Sequence, residues 1–245
     1  MDSGIYTAYS GLRAQSDALE ILANNLANIN TTGFKEQKAF YTYLNQAVDA
    51  SQKPDDLNTV INQLVQTRSA LSGEAGSLSA TNRELDIAIA GDGFLVIQTP
   101  RGIRYTRNGS LDLNAQSVLT TSEGMPVLGT SGRKITLGPG KIRIGDSGDV
   151  FLDDVQIDRL KISAFGNLSD LEKEGNSLFR SRPGASSEKG SDAEIKSGYL
   201  EQSNVNPVSS IVRMVEIQRH FEAIQKSINL VMNEINPKAI DKLGR

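Results

Sequence analysis

The 245 residues include 26 basic and 29 acidic side chains, a formal net charge of −3, and 38% hydrophobic residues. That balance offers no basic patch of the kind that recruits nucleic acid or an anionic membrane. The absence of cysteine excludes disulfides, thiol catalysis and thiolate metal sites.

The length accommodates one large or two small domains. No run approaches 18 consecutive apolar residues, so no transmembrane helix is expected. Met1-Asp-Ser-Gly-Ile-Tyr6 has neither a basic nor an apolar leader region, so no cleavable secretory signal is expected.

The first predicted element is an N-terminal amphipathic helix. Asp2 or Ser3 can cap it through a side-chain oxygen. Ile5, Leu12, Leu19 and Leu26 recur at seven, with Ala8, Gln15, Leu22 and Ile29 at the second heptad position. This is a coiled-coil seam weakened by Gln15 and Ala8, so the helix needs a partner. Its end carries Asn24, Asn25, Asn28 and Asn30. Asparagine is a mediocre helix former, but its amide offers donors and acceptors without charge. Asn24 and Asn28 lie on a different face from Leu22, Leu26 and Ile29. An outward row of amides suits a crowded interface, and a solvated polar face is the alternative. Asn30-Thr-Thr-Gly33 ends the helix, glycine accepting the positive φ that stops it.

Residues 34–84 read as a connector. Leu57, Val60, Ile61, Leu64 and Val65 have helical spacing within Asp56–Leu71, while the Asn, Gln, Ser and Thr content of that stretch favours an extended linker. From 85 to 180 the period changes. Short β-type runs appear at 94–97, 103–106, 118–119, 127–128, 135–137, 142–144, 150–152 and 160–162, with glycines between nearly all of them. Asn108-Gly109 predicts a two-residue type I′ hairpin turn. Residues 181–199 read as an exposed polar connector. Asn206 then caps a second helix with Pro207 at its first position, running from Val208 to about Ile235 and ended by Pro237. Met214, Phe221, Ile228 and Ile235 recur at seven, with Ile217, Ile224 and Val231 between them.

The expected fold is α+β. N- and C-terminal heptad helices (1–33 and 200–245) pack together in an elongated helical domain, and a central all-β domain of many short strands loops out between them. Neither helix can bury its seam alone. Stacked through a heterologous, non-closing contact, such subunits make a tube wall.

Reactive constellations are not apparent. Gly145-Asp-Ser-Gly-Asp149 has a serine-protease look, but the only histidine, His220, follows the serine and sits in the second helix. Gly91-Asp-Gly93 and Gly138-Pro-Gly140 are turns, not phosphate loops. Asp146, Asp149, Asp153 and Asp154 lack calcium-loop spacing and read as solvated carboxylates. Tyr41, Tyr43, Arg104 and Tyr105 make no basic stacking surface. No catalytic, cofactor-binding or metal-binding residue is therefore expected, and no small-molecule substrate.

Three segments carry a family likeness. Leu22-Ala-Asn-Asn-Leu-Ala-Asn-Ile-Asn-Thr-Thr-Gly-Phe-Lys35 resembles the N-terminal signature of bacterial flagellar rod and hook proteins. Asp86-Ile-Ala-Ile-Ala-Gly-Asp-Gly-Phe-Leu-Val-Ile-Gln98 with Tyr105-Thr-Arg-Asn-Gly-Ser110 resembles the start of their central β domain. Gly198-Tyr-Leu-Glu-Gln-Ser-Asn-Val-Asn-Pro-Val208 resembles the approach to their C-terminal helix. Short length and Asn-Val-Asn-Pro-Val favour the FlgF-type rod proteins over the longer distal-rod protein. The resemblance implies a structural, non-enzymatic subunit of the basal-body rod. Its expected partners are other rod proteins, copies of itself, and the flagellum's own type III export apparatus, which replaces a cleaved signal. The hook or distal-rod subunit is one alternative. A secreted β-domain binding module dimerised by its helices is another. The expected assembly interface comprises Leu19, Leu22, Asn24, Asn25, Leu26, Asn28 and Ile29 with Met214, Ile217, Phe221, Ile224, Ile228 and Val231.

Overall fold

A computed structural model describes residues 2–45, 63–175, 177–185, 189–191 and 193–243. The chain divides into two compact units. One holds helix α1 (Asp2–Ala27), strands β1 (Gln37–Asn45) and β2 (Gln63–Leu71), which pair with each other, and helix α2 (Pro207–Leu243). The other holds Ala27–Glu36 and Leu71–Asn206.

In the first unit the two terminal helices pack together, as their heptads predicted. Two expectations change. Where Asp56–Leu71 left helix and extended chain both open, Gln63–Leu71 is a strand; the remainder of that segment lies outside the described residues. The β-branched and polar side chains Val65, Thr67 and Ser69 suit a strand better than a helix, and pairing with β1 supplies the backbone hydrogen bonds. Pro237 does not end α2, which continues to Leu243. Proline removes one intrahelical bond and costs about 3 kcal/mol inside a helix. It does not forbid the next turn, and Lys238, Ala239 and Lys242 are good helix formers.

The second unit is built of short antiparallel strands. Its largest sheet runs, in order, Leu171–Lys173, Leu178–Ser181, Gly102–Thr106, Phe94–Thr99, Ile162–Ala164 and Lys189–Gly190. Phe94–Thr99 explains why there are two cores. Its side chains alternate between faces, yet Phe94, Leu95, Val96 and Ile97 are all buried. Leu95 and Ile97 join a large aliphatic cluster with Ile87, Leu111, Leu119, Leu137 and Val150. Phe94 and Val96 point into a second, aromatic cluster with Tyr105 and Phe179. A strand covered on both sides reads as a continuous apolar run, which is what Phe-Leu-Val-Ile is. The 94–97, 103–106, 142–144 and 150–152 runs are strands; 127–128 and 135–137 make only isolated bridges. Within the stretch read as a polar connector, Glu194–Ser197 pairs with Ile87–Ala90 and buries Ile195 completely.

The hairpin expected at Asn108-Gly109 is not there. The strands on either side belong to different sheets, and Gly109 is not at positive φ. Asn108 instead makes a local side-chain turn, its Oδ1 accepting from the Ser110 N–H (3.1 Å). Gly109 is needed because Ile87 N–H donates to its carbonyl (2.9 Å) and a Cβ there would collide with the Ile87 backbone. The two-residue turn with both residues at positive φ lies at Asp153 (49°) and Asp154 (65°), between Asp149–Leu152 and Val155–Arg159. Short acidic side chains tolerate that conformation.

Candidate functional site: helix faces and a buried charge junction

The helix faces come first. On α1 the buried line is Ser10, Ala14, Ala18, Leu22 and Asn25. Leu19 and Leu26 are only half-buried. The line that faces inward is therefore displaced from the Leu12–Leu19–Leu26 heptad toward smaller residues. Small side chains permit close approach: the Thr67 hydroxyl on β2 donates to the Ala14 carbonyl at 2.9 Å. Asn25 is completely buried. Its Nδ2 donates to the Gln37 carbonyl (2.8 Å), and Gln37 N–H donates to its Oδ1 (3.1 Å). One neutral amide thus satisfies both backbone groups at the start of β1, offering the donor and the acceptor together, which neither a carboxylate nor an ammonium would do. Asn24 is exposed, as expected of an outward amide.

On α2, Met214, Ile217, Phe221, Ile224 and Ile228 form one stripe, each half-buried, while the side chain of Val231 lies outside the described residues. Ile217 and the exposed His220 line a cavity of about 360 Å³ with Gln15, Ala18 and Leu22 of α1. A second apolar set on α2 stands outside this stripe. Val208, Ile211, Val212 and Val215 are 70, 49, 51 and 42% exposed.

In the second unit, Asn28 is buried, not outward, and Ile29 is half-buried. The Thr31 N–H and hydroxyl donate to the Asn28 carbonyl (3.1 Å) and Oδ1 (3.2 Å), closing the turn after α1. That turn leads to the feature the sequence reading missed. Lys35, Arg107 and Glu201 meet in one buried cluster, their side chains 3, 5 and 2% exposed. Lys35 Nζ lies 2.8 Å from Glu201 Oε1, and Arg107 Nη1 lies 3.1 Å from Oε2. The Gly76 N–H donates to Oε1 (2.9 Å), and the Gly33 N–H donates to the Glu201 backbone carbonyl (2.7 Å). Lys35 also donates to the Glu74 carbonyl (2.7 Å), and Arg107 Nη1 to that of Ile89 (3.1 Å). The Arg107 guanidinium stacks 5.4 Å from the Phe94 ring.

Burial alone would raise the Glu201 carboxyl. The charges of Arg107 and Lys35, with hydrogen bonds from Lys35 and Gly76, outweigh it and hold the group below the usual carboxylate range. Burial pulls the Lys35 ammonium down, with Glu201 opposing. Beside the cluster, Lys173 Nζ sits 3.8 Å over the Phe34 ring, and burial lowers its ammonium to about 8.

This junction offers no nucleophile; its chemistry is that of a latch. Lys35 closes the N-terminal signature, Arg107 lies in the Tyr105–Ser110 segment, and Glu201 opens the C-terminal one. Three motifs separated by up to 166 positions converge on one carboxylate. Lys35, Arg107 and Glu201 are each the single charged residue of their segment (22–35, 105–110 and 198–208), and that was the available signal. The acidic group at 146–154 is engaged structurally: Asp149 pairs with Arg159 (2.6 Å), and Asp153 Oδ1 accepts from the Lys141 N–H (2.9 Å).

Comparison with known families finds three matches in chain order. Residues 5–35 match the model described as flagella basal body rod protein. Residues 88–169 match the flagellar hook protein FlgE/F/G D1 domain, and residues 196–231 the flagellar basal body rod FlgEFG protein C-terminal model. The flagellar basal-body rod protein FlgF of Caulobacter vibrioides is 34% identical over 100% of this chain and 99% of its own length. The rod protein FlgG of Borreliella burgdorferi is 33% identical over 94% of this chain and 97% of its own. FlgG of Bacillus subtilis is 29% identical over 91% and 93%.

Proposed function

The chain belongs to the flagellar basal-body rod and hook protein family, and from that premise we propose that it is the FlgF-type subunit of the rod. The family is structural, so the chain is a building block and not an enzyme. It assembles with copies of itself and with other rod-family proteins in the periplasmic basal body.

The observation that carries the reading is the full-length match joined to terminal helices that pack together in one unit. In the proposed mechanism those helices form the wall of a hollow drive shaft, and the β units thicken it and transmit torque. The subunit reaches its site through the flagellar type III export apparatus without losing its N-terminus.

The test is genetic. Deleting the gene should abolish swimming, and the protein should co-purify with basal bodies with Met1 or Asp2 still at its N-terminus. Expression in a strain lacking FlgF should restore motility, whereas a strain lacking FlgG should stay non-motile. The reverse outcome would assign the chain to the distal rod. Motility unchanged by deletion would remove the rod reading altogether.

A further inference from the structure

Asn108-Gly109 is the only asparagine–glycine pair in the chain, and no hairpin turn there accounts for it. Such a pair is chemically labile in any flexible chain. Glycine has no side chain to shield its amide, so that nitrogen can reach the asparagine's side-chain carbonyl and close a five-membered ring. Here both flanks of the pair are held. On one side Ile87 N–H donates to the Gly109 carbonyl (2.9 Å), and the Ile87 carbonyl occupies the place a Gly109 side chain would take. On the other, Gly33 lies so close that a Cβ on it would strike the Arg107 carbonyl carbon and the Asn108 nitrogen. Asn108 N–H donates to the Thr106 hydroxyl (3.0 Å), and its Oδ1 accepts from Ser110 N–H (3.1 Å).

We propose that Asn108 is a self-modification site that the fold keeps silent: in the unfolded chain it converts to isoaspartate, and the isoaspartyl chain cannot rebuild this junction. The conversion consumes only water. The Gly109 amide nitrogen gives up its proton and attacks Asn108 Cγ. An N–Cγ bond forms, the Cγ–Nδ2 bond breaks, and Nδ2 takes up a proton and leaves as ammonia. One water then opens the succinimide. Attack at Cγ restores the original backbone, with aspartate at 108. Attack at the Asn108 backbone carbonyl breaks its bond to the Gly109 nitrogen and leaves the main chain running through Cβ and Cγ. Nothing is oxidised or reduced. In the folded protein the first step requires the Asn108 backbone to rotate, which would break the Ile87 bond and press on Gly33. The reaction therefore proceeds from a rare opened state, slowed by the equilibrium for opening.

The two products differ in what they do to the junction. Aspartate alters no backbone atom, and one of its oxygens accepts from Ser110 N–H as Oδ1 does. Among the described residues the Asn108 side chain serves only as an acceptor, so no donor is missed. Isoaspartate inserts a methylene into the main chain between the Cα of residue 108 and the Gly109 nitrogen. The insertion lies between two fixed points. Arg107 reaches Glu201 (3.1 Å) and stacks on Phe94, while the Gly109 carbonyl is bonded to Ile87. With Gly33 packed over the same peptide, no slack takes up the extra atom. Interiors this dense are disturbed by a single methylene. The site thus marks chains that have stayed unfolded and bars them from the folded pool. It does so whatever the chain assembles into, so the inference stands apart from the rod reading.

The test ages the purified full chain in native buffer and in guanidinium chloride at one pH and temperature. The free peptide Tyr105–Leu111 in both solvents is the solvent control. Peptide mapping by mass spectrometry follows Asn108, with Asn114, which precedes alanine, as an internal reference. Isoaspartate-specific methylation separates the two acid products. We expect conversion at Asn108 to be at least about tenfold slower in the native chain. After dilution out of denaturant, aspartyl chains and the Asn108→Asp variant should regain the wild-type melt, and isoaspartyl chains should stay in the protease-sensitive fraction. Gly33→Ala should raise the rate in native buffer by about threefold or more, because it loosens one flank. If that variant does not fold, the wild-type comparison decides alone. Equal rates in the two solvents, isoaspartyl chains in the folded fraction, an Asn108→Asp chain that fails to fold, or a folded Gly33→Ala chain ageing at the wild-type rate would each overturn the inference.

Discussion

Glu201 is the residue on which the second unit's charge balance depends. Replacing it with glutamine would leave Lys35 and Arg107 buried against a neutral amide. Breaking one partner of a buried ion cluster costs about 3–5 kcal/mol, and urea denaturation of the purified protein should show that loss. The pH dependence has a definite sign. The folded Glu201 carboxyl lies below its ordinary 4.5, so the unfolded chain binds the extra proton. Its stabilisation is fully present above 4.5 and is lost as pH falls through the lower folded value. Glu201→Gln should therefore flatten part of the acid limb of the stability profile. Lys173 acts at the other end. Its folded ammonium titrates near 8 against 10.5 unfolded, so stability rises with pH between those values. Lys173→Met should raise the urea midpoint at pH 7 and remove that alkaline rise. Gly109 tests the backbone account. A type I′ turn would accept asparagine, but a Cβ of any kind meets the Ile87 carbonyl here. Gly109→Asn should thus be as damaging as Gly109→Ala, each by roughly 2–4 kcal/mol in a melting experiment.

At the scale of elements, the two neighbouring asparagines of α1 should behave oppositely. Asn25→Ala strands both backbone groups of Gln37 away from water, at about 2–3 kcal/mol. Asn24→Ala removes an exposed side chain and should shift stability by no more than about 0.5 kcal/mol. Circular dichroism melts of the two variants decide this, and equal effects would contradict the docking of β1 by Asn25. Ile224 sits in the half-buried stripe of α2. Ile224→Asp should cost the isolated subunit about 1–2 kcal/mol through lost burial and carboxylate desolvation. In cells we expect exported protein and no swimming, read by immunoblot and a motility assay. Loss of the protein from every fraction would make the stripe a folding element instead.

The whole molecule shows why the N-terminal turn belongs with the β strands. Gly33 lies at φ +68 against the backbone of Arg107 and Asn108, and Phe34 is 1% exposed beneath Lys173. A fragment of residues 27–206 should therefore melt as one cooperative unit. A fragment of 71–206 lacks Lys35 and Phe34 and leaves Arg107 and Glu201 less covered. It should melt several degrees lower, since 1 kcal/mol shifts a domain of this size by about 3–6 °C. Equal melting points would show that the junction contributes little.

Periodicity by itself determined the plan of this chain. Heptads at both ends and short apolar runs between glycines are local signals, and each reports the face an element must hide. They fixed two terminal helices, a β middle, and the half-buried Met214–Ile228 stripe, while the three signature segments led to the family. What the tertiary structure decided depends on distance along the chain. Leu19 and Leu26 outrank Ala18 in hydrophobicity, yet Ala18 faces inward because helix and strand approach more closely over a small side chain. Asn28 reads as an outward amide until the turn it closes is in place, and nothing local marks Asn25 as the partner of two backbone groups of Gln37. Glycine at 109 looks conformational and is steric, because its constraint is a carbonyl 22 positions earlier. Lys35, Arg107 and Glu201 are lone charges in their segments, but nothing in the sequence pairs them. A buried ion triad is stable only when all three partners arrive together, and no local pattern encodes that meeting.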